Sequence, residues 1–452
     1  MYRLRSFLLC SLALLPNIAL AAPAATSSND SRPTPPLDDP FYTPPEGFES
    51  TAPGTILRSR TPPFPIAAFS IVEVNLAGAH QLLYRSTDSF GKPVVAASTI
   101  LIPRNADNTK LLSYQVAQDA ANPNCAPSFA LQLHAAHDNI LGLAMPQAEI
   151  AFIAAALGKG WIVTVPDHLG TKSAFLANTL SGQIVLDNVR AAIDSSNFTN
   201  IASNPTVTIW GYSGGSLASG FAAELQPEYA PELHIAGAAL GGTVPQIPSV
   251  IKAVNKGVFT GLLPAGIQGL ANEYPNIDKL VQDNLEPSNK DDFLKTKDFC
   301  LMEDLAHYLN KDIYSYTKNK DLFRLPEATK VLDANALGQK APKIPLLVYK
   351  SVNDEVSPVK DTDDLVTSYC GKGANVEYKR DVLSEHAAME IVGAPDAIIW
   401  LTDRMKGVPV KTGCTKSTSF TSLTNPGAIA ALGQGVIDVL LLLLKAPLKP
   451  IA

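Results

Sequence analysis

The sequence is short of cysteine, of charged residues and of basic segments, and each shortage excludes a class of protein. Five cysteines among 452 residues are too few for a disulfide-dense miniprotein, and 46% apolar residues are too many for a disordered chain. Charged residues make up 17%, with 36 basic against 42 acidic side chains. No basic stripe is therefore present for a nucleic acid or an anionic membrane surface, whereas an apolar or neutral ligand fits this composition.

Metal-ligand spacings and sequence repeats are also absent. The sequence contains neither a C-x-x-C pair nor an H-E-x-x-H motif, the spacings with which many zinc proteins bind the metal. We therefore expect neither a metal nor a cofactor. No repeat with a period of about 20 to 50 residues occurs. The length indicates about three domains, or one large α/β unit with insertions.

The first 21 residues have the pattern of a secretory signal peptide (1–21). Arg3 and Arg5 precede an apolar run at 7–20, which ends in an A-x-A cleavage pattern. The run is shorter than the ~20 residues that span a bilayer, so we predict cleavage and secretion to the extracellular space.

The residues that remain after cleavage fit an oxidising compartment. An even number of cysteines suggests two disulfides, for which the sequence permits three connectivities. The remaining cysteines are Cys125, Cys300, Cys370 and Cys414. Asn29 and Asn197 lie in N-x-S/T acceptor sequences, so glycosylation at both agrees with secretion.

The first part of the mature chain is typical of a parallel sheet. Residues 22–65 are rich in proline and predict an extended arm. In residues 66–225, short β-rich runs alternate with helical ones, so we predict an α/β fold with a mostly parallel sheet flanked by helices. The predicted strands are 93–102, 110–116, 161–165 and 206–210, and the predicted helices are 149–158 and 182–193.

The second part begins with an interruption. Residues 226–341 have helical spacing and predict an inserted lid or cap, after which the core resumes at 342–412. The resumed elements are strands at 344–350 and 376–380 and a helix at about 387–405. The tail at 413–452 contains an apolar run at 436–444 that is too short to span a bilayer, so we expect it to pack on the body.

One short motif carries the chemistry. The sequence Gly211-Tyr212-Ser213-Gly214-Gly215 follows a predicted strand and precedes a helix-compatible segment at 216–225. A sharp strand-to-helix turn holds its middle residue in a strained conformation and exposes it at the top of the sheet. Ser213 is therefore the predicted nucleophile, and the N-terminus of the new helix favours an oxyanion beside it.

A serine nucleophile needs a histidine and a carboxylate, which in α/β-hydrolases follow it in the order acid, then histidine. Of the three histidines after Ser213, His234 lies in a run typical of a core strand and His307 in the helical insertion. We interpret both as structural. His386 lies between a predicted strand and a helix, where a catalytic loop would place it, and is the predicted base.

The acid is predicted by the same logic. Asp354 comes directly after the strand at 344–350, whereas the adjacent Glu355 would point elsewhere in an extended loop. Asp381 is the alternative, since it is nearer to His386 in sequence, but no turn signal surrounds it.

These motifs together resemble those of a known family. They are Ser113-Tyr114-Gln115-Val116, Pro166-Asp167-His168-Leu169-Gly170, Gly211-Tyr212-Ser213-Gly214-Gly215, Asn353-Asp354 and Glu385-His386. In this order they resemble the fungal secretory lipases, the group typified by Candida lipase A, over about 39–414. The resemblance implies an α/β-hydrolase core with a helical lid and the catalytic set Ser213, Asp354 and His386.

The resemblance implies three further features. The oxyanion hole would use the backbone N–H groups of Gly214 and Asp119, and the C-terminal segment could act as a flap near the site. The implied disulfides are Cys125 with Cys300 and Cys370 with Cys414.

The predicted function is hydrolysis of carboxylic esters by a secreted serine lipase or carboxylesterase. Its substrate would be a triacylglycerol or another small-molecule or lipid ester, at a lipid–water interface or in solution. Apolar helices in the insertion fit either an acyl-chain pocket or a packed cap. The alternatives are an esterase that deacetylates a small secondary metabolite such as a trichothecene-type acetate, a non-catalytic binding module, and a peptidase. The sequence indicates no nucleic-acid partner and does not indicate an oligomeric state.

Overall fold

The computed structural model describes residues 32–68, 72–136, 141–422 and 427. Three predictions therefore lie outside the described residues: the signal peptide at 1–21, the acceptor Asn29, and the apolar run at 436–444 with the flap role of the tail. Among the described helices, none is both long and apolar enough to cross a membrane.

Most strands join one large mixed sheet. The strands are β1 (Ile56–Arg60), β2 (Ala67–Ala68), β3 (Val72–Glu73), β4 (Leu76–Thr87), β5 (Pro93–Pro103), β6 (Asp107–Gln115), β7 (Trp161–Pro166), β8 (Thr206–Tyr212), β9 (Ile235–Gly241), β10 (Leu346–Ser351), β11 (Val376–Asp381) and β12 (Cys414–Ser419). In the described ranges, ten of them form a sheet in the order β1-β4-β5-β7-β6-β8-β9-β10-β11-β12, and β2 pairs with β3. Neighbours from β7 to β12 in this order are parallel, whereas β1, β4 and β5 add antiparallel pairs at one edge. The predicted α/β fold with a mostly parallel sheet is confirmed.

Helices cover both faces of this sheet. They are α1 (Pro127–Ala130), α2 (Ala144–Gly158), α3 (Asn178–Asp194), α4 (Ser196–Thr199), α5 (Gly214–Tyr229), α6 (Ile247–Val254), α7 (Leu262–Glu273), α8 (Pro275–Asn284), α9 (Lys290–Leu294), α10 (Leu301–His307), α11 (Pro326–Ala334), α12 (Val359–Gly371) and α13 (His386–Met405). Successive residues of a strand point to opposite faces, so Ile209 of β8 enters one core and Trp210 the other. Helices α3, α5 and α12 pack on the first core, and α2 and α13 pack on the second. The loops after β6, β8, β10 and β11 thus meet at one edge, between two helical layers.

The helical insertion is shorter than predicted. Its helices, α6 to α11, lie within 247–334 and follow β9 rather than α5. Because β9 lies between β8 and β10 in the sheet, the predicted start at 226 is corrected to the end of this strand. The strand has the sequence IAGAALG, which is poor in the β-branched residues that mark a strand. Glycine is required within it, since a Cβ on Gly237 would lie 2.5 Å from Trp400.

Both flanking segments contribute strands to the sheet. The predicted arm at 22–65 contains β1, which pairs antiparallel with β4. The predicted tail at 413–452 contains β12, which pairs in parallel with β11, so the second part of the core extends to residue 419 rather than 412. The sequence CTKSTS of β12 is polar and exposed, which is typical of an edge strand and leaves no hydrophobic pattern to recognise.

Two disulfides hold distant segments to this core. Cys125 pairs with Cys300 across 175 residues, and Cys370 pairs with Cys414 across 44. These are the pairs that the resemblance implies. The first bond joins the turn Pro123–Cys125, beyond β6, to the start of α10 in the helical insertion. In the chain-entropy model, closing so long a loop in the unfolded chain contributes about 5 kcal/mol to the free energy of unfolding.

Candidate active site

Between β8 and α5 the chain turns sharply at Ser213, whose φ of 47° lies in the left-handed region that favours glycine. Small neighbours make this turn possible. A Cβ on Gly211 would lie 2.3 Å from the carbonyl oxygen of Gly215, and one on Gly215 would lie 2.0 Å from that of Gln115. The backbone N–H of Ser213 donates to the carbonyl oxygen of Gly241 at 2.9 Å. The turn thus holds the Ser213 side chain at the edge of the sheet, ahead of the N-terminus of α5.

The structure brings Ser213, His386 and Asp354 into one hydrogen-bonded chain. His386 Nε2 lies 2.9 Å from Ser213 Oγ, and His386 Nδ1 lies 2.7 Å from Asp354 Oδ2. His386 is the first residue of α13, and Asp354 follows β10. Because a carboxylate can only accept, Nδ1 carries the imidazole proton and Nε2 is left to accept one from the serine. This is the arrangement that activates a serine hydroxyl.

Asp354 is held as a carboxylate by three groups besides His386. Its Oδ1 accepts from the backbone N–H groups of Val356 and Ser357, at 3.0 and 2.7 Å. Its Oδ2 lies 2.7 Å from Nζ of Lys350, a fully buried lysine that also donates to the carbonyl oxygen of Thr243. Burial opposes ionisation, but His386 and Lys350 outweigh it and hold the pKa of Asp354 well below its usual range. The buried ammonium group of Lys350 therefore stabilises the ionised form of Asp354.

The alternatives to these residues have other contacts. Asp381 Oδ1 accepts from the backbone N–H groups of Leu383 and Ser384, at 3.0 and 2.8 Å, and so shapes the loop before His386. His234 is exposed immediately before β9. His307 Nε2 lies 2.7 Å from Asp292 in the helical insertion. Within the described residues, Asp354 rather than Asp381 is therefore the carboxylate that contacts the imidazole ring of His386.

Three residues that contact the site are missed by the sequence analysis, namely Glu355, Tyr212 and Lys350. Glu355, expected to point elsewhere, accepts from the backbone N–H of His386 at 2.8 Å, and the Tyr212 hydroxyl donates to the His386 carbonyl oxygen at 2.6 Å. Together they fix the main chain that carries the imidazole. Lys350 is the third, and a lysine inside the apolar run of β10 is the one hint that sequence inspection could have used.

The predicted oxyanion residues lie against each other beside Ser213. Asp119, in the loop after β6, has a φ of 43°, and a Cβ on Gly214 would lie 1.8 Å from its Oδ1. Both residues line the same cavity as Ser213. The loop is braced by His168, whose ring nitrogen lies 2.8 Å from the carbonyl oxygen of Val116. The first N–H groups of α5 and those of this loop are thus close to the serine, where an oxyanion would form.

An apolar cavity extends from the serine into the helical insertion. It contains about 890 Å³ of empty space, part of it open to solvent. Among its lining residues in the described ranges, Asp119 and Ser213 have the polar side chains, and the remainder are apolar. Phe323, Ala328 and Leu332 of the insertion also line it. No group of His, Cys, Asp and Glu side chains that could hold a metal ion occurs in the described part of the chain.

Comparison with known proteins gives the same family for most of the chain. Residues 137–413, which include Ser213, Asp354 and His386, match the family described as Secretory lipase. A protein named Lipase A from Arthroderma benhamiae is 47% identical over 421 residues, which cover 92% of this chain and 90% of that protein. Lipase 5 from Candida albicans is 38% identical, with 90% of each chain covered.

A solved structure has the same fold. The X-ray structure of Candida antarctica lipase A in its closed state superposes with a TM-score of 0.81 at 29% sequence identity, and the match covers 90% of this chain and 95% of that one. Its sheet and helices are those of an α/β-hydrolase. The family match covers more than half of this chain, and a relative that is 47% identical covers 92% of it. This chain therefore belongs to the secretory lipase family and is a carboxylic ester hydrolase.

Proposed function

We propose that the protein is a secreted serine lipase that hydrolyses neutral lipid esters, such as triacylglycerols, through Ser213, His386 and Asp354. One observation carries this proposal. The hydrogen-bonded chain from Asp354 through His386 ends on a serine hydroxyl that opens into an apolar cavity. Nucleophile, base and a site for an acyl chain are therefore adjacent.

The proposed reaction is acyl transfer in two steps. His386 Nε2 takes the proton of Ser213 Oγ as that oxygen attacks the ester carbonyl, and Asp354 stabilises the imidazolium that forms. The imidazolium then gives the proton to the departing alcohol, which leaves an ester of Ser213. Water, activated by the same imidazole, attacks this acyl-enzyme and releases the fatty acid with Ser213 restored.

Negative charge develops on the carbonyl oxygen in both steps. We propose that the backbone N–H groups of Gly214 and Asp119 donate to this oxygen. Gly214 is the first residue of α5, so the helix N-terminus adds a favourable partial positive charge. Donors held in place before the reaction stabilise the transition state more than the substrate, and so they raise kcat.

Gly214→Ala tests these donors. The added methyl group would occupy the position of the Asp119 carboxyl, so Asp119 and the loop must move and both donors lose their alignment. We expect kcat to fall by about 10²-fold or more, since loss of one oxyanion donor has a cost of that order, with KM little changed. The measurement is kcat per active site on a soluble ester, with sites counted by phosphonate titration.

Gly158→Ala is the matched control, because a Cβ at this position of α2 meets no atom within 4 Å. It should leave kcat unchanged. Wild-type kcat in Gly214→Ala would show that these donors are not used.

The cavity favours an acyl chain over an acetyl group. An apolar wall gains about 0.8 kcal/mol for each buried methylene, which corresponds to about fourfold in kcat/KM. We therefore expect kcat/KM to rise from butyrate towards medium and long chains until the cavity is full. The relatives bear lipase names, which supports the same substrate class.

Ala328→Trp tests whether the acyl chain enters the cavity. This buried alanine lines the cavity on α11, so an indole ring would occupy part of it. We expect long-chain esters to lose about tenfold or more in kcat/KM while butyrate is unaffected, as loss of a few buried methylenes predicts. Ala334→Trp, at an exposed position of the same helix, is the control.

The measurement is kcat/KM as a function of acyl chain length, on soluble and on emulsified esters. Activity confined to short soluble acetates would reject the lipid-ester proposal in favour of a small-metabolite deacetylase. An equal loss on all chain lengths in Ala328→Trp would place the acyl chain outside the cavity.

We further propose that the protein is extracellular. The family is described as secretory, and the paired cysteines fit an oxidising compartment. Asn197 is exposed on α4, so the acceptor is accessible to glycosylation.

A further inference from the structure

Three buried carboxyl groups interact at the loop that follows β6 and contains Asp119, here termed the oxyanion loop. Glu149 comes from α2 and Glu390 from α13, one helical turn after His386, while Asp119 belongs to the loop itself. Their residues are 0%, 9% and 5% exposed, respectively. The proposed acid–base chemistry of Ser213 and His386 uses neither glutamate.

Glu149 is bonded to the segment that leads into this loop. Its Oε1 accepts from the backbone N–H of Ala117 at 2.8 Å, and its Oε2 lies 2.8 Å from the hydroxyl oxygen of Tyr114. A tyrosine hydroxyl accepts when Oε2 carries a proton and donates when Oε2 is ionised, so this contact is made in both protonation states. Ala117 precedes Asp119 by two residues, so Glu149 holds the chain between the end of β6 and the proposed N–H donor. Removing this acceptor would leave a buried N–H without a partner.

In the described part of the chain, no lysine or arginine offsets the raised pKa of these carboxyl groups. Among the described residues, Glu390 Oε1 and Asp119 Oδ1 are buried without a hydrogen-bond partner. The titratable groups that interact with the cluster from neighbouring strands include Tyr114 of β6, Tyr212 of β8 and Tyr349 of β10. His386 lies one turn before Glu390 on α13, and His168, after β7, contacts the loop at the carbonyl oxygen of Val116. Burial lowers the pKa of His168 to about 4, so this ring is neutral and adds no charge.

Unbalanced carboxyl groups in a low-dielectric interior repel one another when ionised, and so retain protons. Burial raises the pKa of Asp119 to about 7. Burial, together with the proximity of Asp119, raises the pKa of Glu390 to about 8. Burial and the nearby Glu390 raise the pKa of Glu149 well above its usual range.

We propose that Glu149 is a positioning residue which, in its neutral, protonated form, holds the oxyanion loop in place. Ionisation of Glu149, Glu390 and Asp119 then releases this loop. The inference rests on the proposed function, because it assigns the support of the proposed oxyanion donors. The enzyme is then active while these three buried carboxyl groups are protonated, and it loses the alignment of the oxyanion donors in mild alkali.

The direction of the pH effect follows from proton binding. Above the ordinary carboxyl pKa of about 4.3, the folded chain holds protons at these sites that the unfolded chain has released. The cluster therefore contributes stability at acidic pH, and this contribution is lost as the pH rises through the raised values near 7 to 8. Activity should decline over the same interval.

The test compares Glu149→Gln with Glu149→Ala. Glutamine has the shape of a protonated glutamate and keeps an oxygen for the Ala117 N–H, whereas alanine removes it. At pH 6 we expect kcat of Glu149→Gln within about threefold of wild type, and kcat of Glu149→Ala lower by about 10²-fold, the cost of a misplaced oxyanion donor, with KM little changed. The alkaline limb of the kcat profile should move to higher pH in Glu149→Gln and in Glu390→Gln, since each removes one repelling charge.

Glu224→Gln is the matched control. Glu224 is a buried carboxyl that also accepts from a tyrosine hydroxyl, Tyr369, and from a backbone N–H, that of Gly338. It lies in α5, ten residues after Gly214 and about 15 Å along the helix. Its replacement should not move the alkaline limb.

Each outcome decides the inference. If Glu149→Gln loses as much kcat as Glu149→Ala at every pH, an ionised carboxylate is required and the inference is overturned. Wild-type kcat in Glu149→Ala, or an unmoved alkaline limb in both glutamine variants, overturns it as well. If the alanine variant does not fold, the glutamine variants alone decide the inference.

Phosphonate labelling of Ser213 in the wild type separates the two proposals. Without that label the proposed function has failed, and with it only the role of Glu149 is in question.

Discussion

Ser213→Ala should abolish ester hydrolysis, with kcat reduced by about 10⁶-fold, the size of effect seen when a catalytic serine is removed. Alanine has no atom to attack the carbonyl, and His386 then has no proton to accept from residue 213. The fold should be retained, because the change deletes one oxygen whose described hydrogen bond is to His386. Binding of a non-hydrolysable ester analogue should therefore persist.

The measurement is initial-rate hydrolysis together with labelling by an active-site phosphonate and peptide mapping. Wild type should carry the label on Ser213, and the alanine variant should carry none. Ser216→Ala is the matched control: this buried serine lies in the first turn of α5, and its hydroxyl has no hydrogen-bond partner among the described residues. Retained hydrolysis in Ser213→Ala, or a label on another residue, would overturn the proposed mechanism through Ser213.

Asp354→Asn is expected to lower kcat by about 10⁴-fold, the effect of the same change in other catalytic triads. The amide keeps an oxygen for the backbone N–H groups that Oδ1 now accepts, but it places an NH₂ group towards His386 Nδ1 and Lys350 Nζ. An NH₂ group cannot accept from the imidazole, so Nδ1 loses its proton and Nε2 carries it instead. In that tautomer Nε2 cannot take the serine proton.

The variant also leaves Lys350 buried without its carboxylate. Losing one partner of a buried ion pair destabilises a protein by about 3–5 kcal/mol, so we expect a lower midpoint of thermal unfolding. The value of kcat is therefore calculated per folded molecule, and the folded fraction is measured by near-ultraviolet circular dichroism. Asp381→Asn is the control, because Asp381 contacts the loop backbone and not His386. Nearly normal kcat in Asp354→Asn, with a loss in Asp381→Asn, would exchange the two assignments.

Local sequence patterns were sufficient to place the three residues of the hydrogen-bonded chain. The glycines around Ser213 mark a turn that only small residues permit, which is a property of five consecutive positions. Asp354 and His386 each follow a strand, and the ends of parallel strands meet at one edge of a sheet. The order of the three along the chain then excludes most other choices.

The boundaries and the surroundings of the site were less accessible. The run around His234 predicts a core strand, but no local pattern indicates that β9 joins the sheet between β8 and β10, so the predicted start of the helical insertion at 226 is too early. The residues alone permit three disulfide connectivities, because cysteine spacing does not determine which side chains come within bonding distance.

The sequence by itself thus determined the fold class and pointed to Ser213, His386 and Asp354 as the proposed nucleophile, base and acid, because each depends on short-range pattern and on the order of strands. Only the tertiary structure decided that a buried lysine stabilises Asp354, that Glu355 accepts from the main chain of His386, and that the buried carboxyl groups of Glu149, Glu390 and Asp119 interact with one another. The physical reason is that charge balance and hydrogen bonding in a core depend on which residues are neighbours in space. Glu149 and Ala117 are 32 positions apart, and no local pattern of the chain encodes their contact.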